Sequence, residues 1–251
     1  MASGHRWNTA GDDFVALVTT RYRSGGMLHW PTAIAASAFA CGQMALMSRE
    51  SSTAENGVID SARVATLIHD GDVPTRTIWG YSAEIAKQAF GIDAEALPTY
   101  RATVLRLGTR LLAGSYPALD VPLHLVPHET PANAGPRLRR SVHEIAEAHG
   151  ISGDDIAFAL ATATMKMVGS VQHLGVRDLT SLAMQCYVAG SRFAPMAECA
   201  VDPALSIAPA DPAGSLPGTV SEKEEAVVSV PPETASQAMA DITQGGFGKR
   251  R

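Results

Sequence analysis

The sequence predicts an all-α protein, a multi-helix bundle of about seven helices in residues 1–200 followed by a disordered tail in residues 201–251. Apolar residues recur at three- and four-residue spacing between helix start and stop signals through the first 200 positions. Aromatic residues make up only 6% of the chain, which favours helix-on-helix packing over a β-sandwich. Beyond Val201, proline, alanine and acidic residues predominate, and burial of such a segment cannot offset the entropy of ordering it.

The predicted helices follow these signals along the chain. Pro31 can occupy the first turn of the second helix, and Ser152 and Asp178 are the predicted N-caps of the last two. Residues 115–136 contain five prolines and no helical period, so we expect an irregular connection there. The predicted helices span, in order, residues 12–24, 31–47, 60–70, 82–90, 97–113, 136–149, 152–171 and 178–194.

Residues 31–47 carry no charged side chain, a pattern that suits either a buried central helix or a membrane span. Ser37, Gln43 and several alanines dilute the hydropathy that a span would need. Small residues four apart, such as Ala38 and Gly42, allow a neighbouring helix to approach closely. Because the flanking helices are ordinarily amphipathic, we predict a buried central helix and no membrane partner.

Charge and cysteine content limit the class of protein and its location. The net charge of −5 disfavours a nucleic-acid binder that relies on overall positive charge. The three cysteines, Cys41, Cys186 and Cys199, are odd in number and lack CxxC spacing, which is typical of reduced thiols. The first residues lack the apolar core of a secretory signal. We therefore predict a cytoplasmic location.

Residues 142–161 resemble a helix-turn-helix corner, with Gly150 in the turn. The positions that would face a DNA groove offer carboxylates and apolar side chains, without an Arg, Lys, Asn or Gln to read bases. The sequence therefore favours a structural corner. DNA binding stays open as an alternative in which Arg137, Arg139 and Arg140 contact phosphates.

A second alternative is a metal-dependent enzyme. His143 and Glu147 lie four residues apart, a spacing that can place two zinc ligands on one helix face, and His128 lies in the loop before them. The segment lacks the second histidine of an HExxH motif. A solvated helix face is therefore the favoured interpretation of these residues.

His29 and Trp30 belong to the most unusual local segment, Gly-Gly-Met-Leu-His-Trp-Pro, which begins at Gly25. Both residues precede a predicted helix N-terminus, where backbone N–H groups can bind an anion. The simpler interpretation is a turn between helices that Trp30 fills and in which His29 makes one hydrogen bond. The anion site stays open as a form of the enzyme alternative.

The predicted function is a non-enzymatic one: association of the helical domain with a second copy of the chain or with a protein partner. Alanine-rich helix faces favour this interpretation, and the sequence contains no GxSxG, GxxxxGK[ST] or GxGxxG motif. No cofactor is predicted. The segment 235–251 is the part of the tail that we expect to bind a partner.

Overall fold

The computed structural model describes residues 2–24, 26–50, 64–70, 76–112 and 118–192. Within these ranges the chain forms eight α-helices, several short 3-10 turns, one π-helical turn and a hairpin of two-residue strands. The predicted all-α class is therefore confirmed. The predicted tail, including its segment 235–251, lies outside the described residues.

The α-helices are numbered here in chain order. A tight hairpin, Arg23–Ser24 paired with Met27–Leu28, connects the first two of them. A π-helical turn spans Thr66–Asp70, and a 3-10 turn spans Leu123–Leu125. The helices are α1 (Ala2–Arg21), α2 (Trp30–Glu50), α3 (Ile78–Phe90), α4 (Tyr100–Leu112), α5 (Pro131–Ala134), α6 (Arg139–Ala148), α7 (Asp154–Ser170) and α8 (Val176–Gly190).

The uncharged helix α2 lies at the centre of the bundle. Residues 31–46 are buried without interruption, and α2 packs along both α7 and α8. Helix α1 packs against α7, α3 contacts α7 and α8, and α4 contacts α8. Among the described residues, no helix has the length and hydropathy that a membrane span requires. The absence of charge in α2 thus reflects contact with protein on all its sides.

Several helix starts differ from the prediction, among them that of α1 and those at the two predicted caps. Helix α1 already begins at Ala2, and the predicted caps Ser152 and Asp178 do not cap α7 and α8. Gly153 and Gly175 occupy the N-cap positions instead. Their φ values are 56° and 99°, a left-handed backbone that glycine adopts without a Cβ clash. Asp178 lies instead within the first turn of α8, where its carboxylate faces the positive end of the helix dipole.

The core contains hydroxyl groups that pair with one another. Tyr81 and Thr162 are joined by a hydrogen bond of 3.0 Å, and Ser82 donates to the hydroxyl of Tyr187 at 3.3 Å. Burial raises the pKa of both tyrosines. The thiol of Cys41 is buried as well and donates to a backbone carbonyl, and its burial raises its pKa well above the ordinary value. These groups therefore stay protonated and link the packed helices.

Candidate functional site

His29 and His128 stack face to face on the surface of the bundle. Their ring centroids lie 3.4 Å apart and their planes differ by 14°. His29 directly precedes α2, and His128 lies in the connection between α4 and α5. The structure thus joins two of the predicted site residues that the sequence analysis had assigned to separate sites.

Thr32 holds the two histidine segments together. Its hydroxyl oxygen lies 2.7 Å from Nδ1 of His29 and accepts a hydrogen bond of 2.9 Å from the backbone N–H of His128. Thr32 occupies the first turn of α2 and is itself buried. One buried hydroxyl therefore fixes both the position of the His29 ring and the path of the chain at His128.

The pKa of His29 is lowered from its ordinary value. Partial burial of the ring is the larger cause, because it disfavours the charged form, and the neighbouring His128 is the second. The N-terminus of α2, which is the positive end of the helix dipole, acts in the same direction. Near neutral pH the stack therefore contains an uncharged His29 ring.

Charged residues lie close to the stacked histidines in both segments of the chain. Arg23 lies opposite Leu28 in the hairpin, one residue from His29. Arg137 forms an ion pair of 3.0 Å with Glu129, one residue from His128. The flank that Arg137 occupies is anchored by Tyr22, whose hydroxyl donates to the carbonyl of Ala134 at 2.6 Å.

Large apolar side chains project into solvent beside the histidines. Met27 is 79% exposed, Leu123 is 92% exposed and Val126 is 42% exposed. Met27 precedes His29 by two residues, and Val126 precedes His128 by two. Leu125, which lies between Leu123 and Val126 in the chain, is fully buried. We call the surface formed by Met27, His29, Leu123, Val126 and His128 the histidine face.

Trp30 lies at the turn between α1 and α2, as the simpler interpretation of the sequence predicts. Its side chain is half buried and packs against the core, and α2 begins at this residue. His29 makes its hydrogen bond to Thr32, within the protein. The geometry therefore matches the filled turn of the simpler interpretation.

The helix-turn-helix corner forms, but most of the predicted groove-facing positions within α7 are buried. Ala157, Phe158 and Ala161, which would face a DNA groove, are buried in the bundle. Arg139 lies half exposed in the first turn of α6, and Arg140 pairs with a glutamate on the same helix. The remaining arginine of the predicted set, Arg137, belongs to the flank of the histidine face.

His143 and Glu147 are exposed on α6, and within the described ranges no three His, Cys, Asp or Glu side chains form a group that could hold a metal ion. His128, the third predicted ligand, stacks on His29 instead. His143 borders a groove of about 250 Å³ between the end of α2 and the start of α7. Its other lining residues are Met44, Met47, Ser48, Gly153 and Ile156.

Sequence reasoning missed the apolar members of the histidine face. Their exposure depends on Leu125 pointing inward and on a contact between segments 99 positions apart (29 to 128), neither of which a local pattern reveals. The available signal was local: Met27 follows a Gly-Gly turn, and prolines enclose the segment that holds Leu123 and Val126. No family model matches the chain, and comparisons with curated proteins and with solved structures give no match.

Proposed function

We propose that the protein is a non-enzymatic interaction module and that the histidine face is the surface through which it associates with a protein. The observation that carries this proposal is the exposure of large apolar side chains within five residues of the two stacked histidines. Met27, Leu123 and Val126 are three of the four large hydrophobic residues exposed in the described part of the chain. The stack joins the two segments that contain them, and association would remove this apolar area from water.

The surroundings of the face suit a protein partner. Interfaces combine an apolar centre with a polar rim and are enriched in Met, Arg and aromatic residues. Here Met27 and the two imidazole rings would form the centre, and Arg23 and Arg137, from the same two segments, would form the rim. The hydroxyl of Thr32 and the buried Leu125 hold the face in one conformation, which lowers the entropy lost on binding.

The location that we propose is the cytoplasm. Cys41 and Cys186 are buried thiols that form no disulfide among the described residues. Reduced thiols of this kind suit a reducing compartment. The proposed partner would therefore be encountered in the cytoplasm, and near neutral pH His29 is uncharged there.

The test compares the full chain with a variant in which Met27, Leu123 and Val126 are each changed to Ser. Native mass is measured by light scattering after size exclusion, and proteins that copurify are quantified by mass spectrometry. We expect the wild-type chain to associate with itself or with a stoichiometric partner, and the variant to lose that association. The physical reason is that apolar area no longer leaves water on binding.

Leu105→Ser is the matched control, because Leu105 is the fourth exposed hydrophobic residue and lies on α4. We expect this control to associate as the wild type does. Circular dichroism of each variant confirms that the helices are retained. A wild-type chain that is strictly monomeric and recovers no stoichiometric partner would contradict the proposal, and so would equal loss of association in the control.

A further inference from the structure

The histidine face lies in a positively charged part of a negatively charged protein. Residues 21–32 contain two arginines and no acid, and residues 126–144 contain three arginines and two glutamates. Five positive charges against two negative charges give +3 for these two segments, whereas the whole chain carries −5. The stack of His29 on His128 and the hydrogen bond from His128 to Thr32 bring the two segments together.

The arginines come from both of these segments. Arg21 and Arg23 are exposed, and Arg23 is held opposite Leu28 by the hairpin. Arg137 forms an ion pair with Glu129, and Arg140 forms an ion pair with Glu144 on the same helix. A ligand that complements this surface must carry negative charge and apolar side chains side by side, in order to meet the arginines and Met27 together.

A phosphate backbone meets only half of this requirement. Contacts of arginine with phosphate are favourable, but a nucleic-acid backbone offers little to exposed Met27, Leu123 and Val126. An acidic and apolar polypeptide offers both. Charge and apolar area together therefore favour a peptide over a nucleic acid.

The chain itself contains such a peptide. Residues 221–230 read Ser-Glu-Lys-Glu-Glu-Ala-Val-Val-Ser-Val, with three glutamates and one lysine followed by three valines. The acidic part complements the arginine flanks, and the valines complement the apolar centre. This segment belongs to the part of the sequence predicted to lack a core of its own.

The intervening chain is long enough to reach the face. Arg192 is the last described residue after α8. The 28 residues 193–220 separate it from Ser221, and they span up to about 90 Å when extended. The end of α8 is close to the face, because Gly190 packs on Phe39, nine residues along α2 from Trp30. Nine helical residues measure only about 14 Å.

We propose that residues 221–230 occupy the histidine face of the same chain and compete with its protein partner. This inference rests on the proposed function of the face and adds its regulation. A segment tethered at this distance has an effective concentration on the order of millimolar, so even a weak contact keeps the face largely covered. A partner must then bind more tightly than the tethered segment, or act when that segment is withdrawn.

The experiment measures binding of a fluorescent peptide of residues 219–232 to the full chain by anisotropy at low salt. A variant with Glu222, Glu224 and Glu225 changed to Gln disables the tethered copy. We expect this variant to bind the peptide at least about ten-fold more tightly than the wild type, because the competing segment has been removed. Binding should weaken as salt increases.

Arg23→Glu and Arg101→Glu form a matched pair of charge reversals in the background of the Gln variant. Both arginines are exposed, but Arg101 lies on α4 and outside the two positive segments. We expect Arg23→Glu to abolish peptide binding and Arg101→Glu to leave it within about two-fold. Equal peptide affinity of the wild type and the Gln variant would overturn the proposal.

A second measurement does not depend on the peptide. Spin labels are placed in the full chain at Thr130→Cys and Gly218→Cys, with Cys199→Ser, while Cys41 and Cys186 stay unlabelled because they are buried. Pulsed electron paramagnetic resonance should give a narrow distribution of distances between the two labels, and Arg23→Glu should broaden it. A distribution that is broad from the start would contradict docking within the chain.

Two other outcomes would also overturn the inference. Duplex DNA could bind with the same dependence on Arg23 while the peptide does not, which would make the face a phosphate site. The chain could form a dimer that dissociates when the three glutamates are neutralised, which would place the segment on a second copy. The peptide could fail to bind while the Ser variant at Met27, Leu123 and Val126 still loses its partner. That result would support the proposed function and reject only the proposed regulation.

Discussion

Gly42 of α2 and Gly190 of α8 lie against each other where the two helices cross. A Cβ atom built on Gly42 would stand 2.7 Å from the backbone nitrogen of Ser191, and one built on Gly190 would overlap the carbonyl oxygen of Phe39. These are backbone atoms, which cannot rotate aside as a side chain can. The absence of two Cβ atoms therefore sets how closely the central helix approaches α8.

We predict that Gly190→Ala destabilises the fold by about 1–3 kcal/mol, because the helices must separate to admit a methyl group. The free energy of unfolding is measured by urea titration. Gly11→Ala is the comparison, since its Cβ would meet the methyl group of Thr162 at 3.2 Å, and helix propensity favours alanine by up to about 1 kcal/mol. Equal stability of the two variants would show that the crossing tolerates a Cβ.

Local patterns predicted much of this arrangement, and long-range contacts account for the rest. The small residues around Ala38 and Gly42 indicated that a helix would approach α2 closely, but they did not identify the partner glycine on α8. The N-caps were misplaced because Ser152 and Asp178 are favourable cap residues, whereas the turns required left-handed glycines just before each helix. Propensity for a cap was outweighed by the path that the backbone must follow.

The candidate site shows the same limit. His29 was singled out by its local sequence, yet its stacking partner comes from a proline-rich connection whose course is fixed by tertiary contacts. The side chain of Gln185 provides one such contact, because it bonds the backbone of Asp120. The residue types alone do not show which loop crosses which helix end. The composite site therefore became visible only in three dimensions.

We predict that Tyr187→Phe costs about 1–3 kcal/mol of stability, because the buried hydroxyl of Ser82 loses the acceptor that it meets at 3.3 Å. The double variant with Ser82→Ala should cost less than the sum of the two single variants. Urea unfolding of the four proteins gives the coupling free energy. A coupling near zero would mean that the two hydroxyls contribute independently to stability.

We predict that His29 makes the fold less stable in acid. Its pKa is lowered from the ordinary value of 6.5, so the unfolded chain takes up a proton at a higher pH than the folded chain does. The contribution of His29 is therefore fully present above about pH 6.5 and is lost as the pH falls through the lower pKa of the folded state. Urea unfolding at pH 7.5 and pH 5.0 measures the loss.

His29→Gln should show a smaller loss between these two pH values, because glutamine does not titrate but can still bond to Thr32. His173→Gln, at an exposed histidine in the 3-10 turn before α8, serves as the control and should behave as the wild type does. His128→Gln should raise the pKa of His29 in a proton NMR titration, since it removes the second cause of the shift. A His29 ring that titrates above pH 6.5 would contradict this account.

Gln185 connects the core of the bundle to the histidine face. Its side-chain oxygen accepts from the backbone N–H of Asp120 at 2.8 Å, and its nitrogen donates to the carbonyl of the same residue at 3.1 Å. The amide thus acts as a backbone partner for the connection that continues to Leu123, Val126 and His128. Gln185 is fully buried on α8, and its two bonds to Asp120 are partly buried.

We predict that Gln185→Leu destabilises the fold by about 1–3 kcal/mol, because the N–H and carbonyl of Asp120 lose both bonds. Hydrogen exchange should increase in residues 118–128 more than in α7, and association through the histidine face should weaken with it. Ser181→Ala is the control, since it removes only the bond of 3.1 Å between Ser181 and the same amide. If exchange in residues 118–128 is equal in Gln185→Leu and Ser181→Ala, then contacts other than this amide hold the face in place.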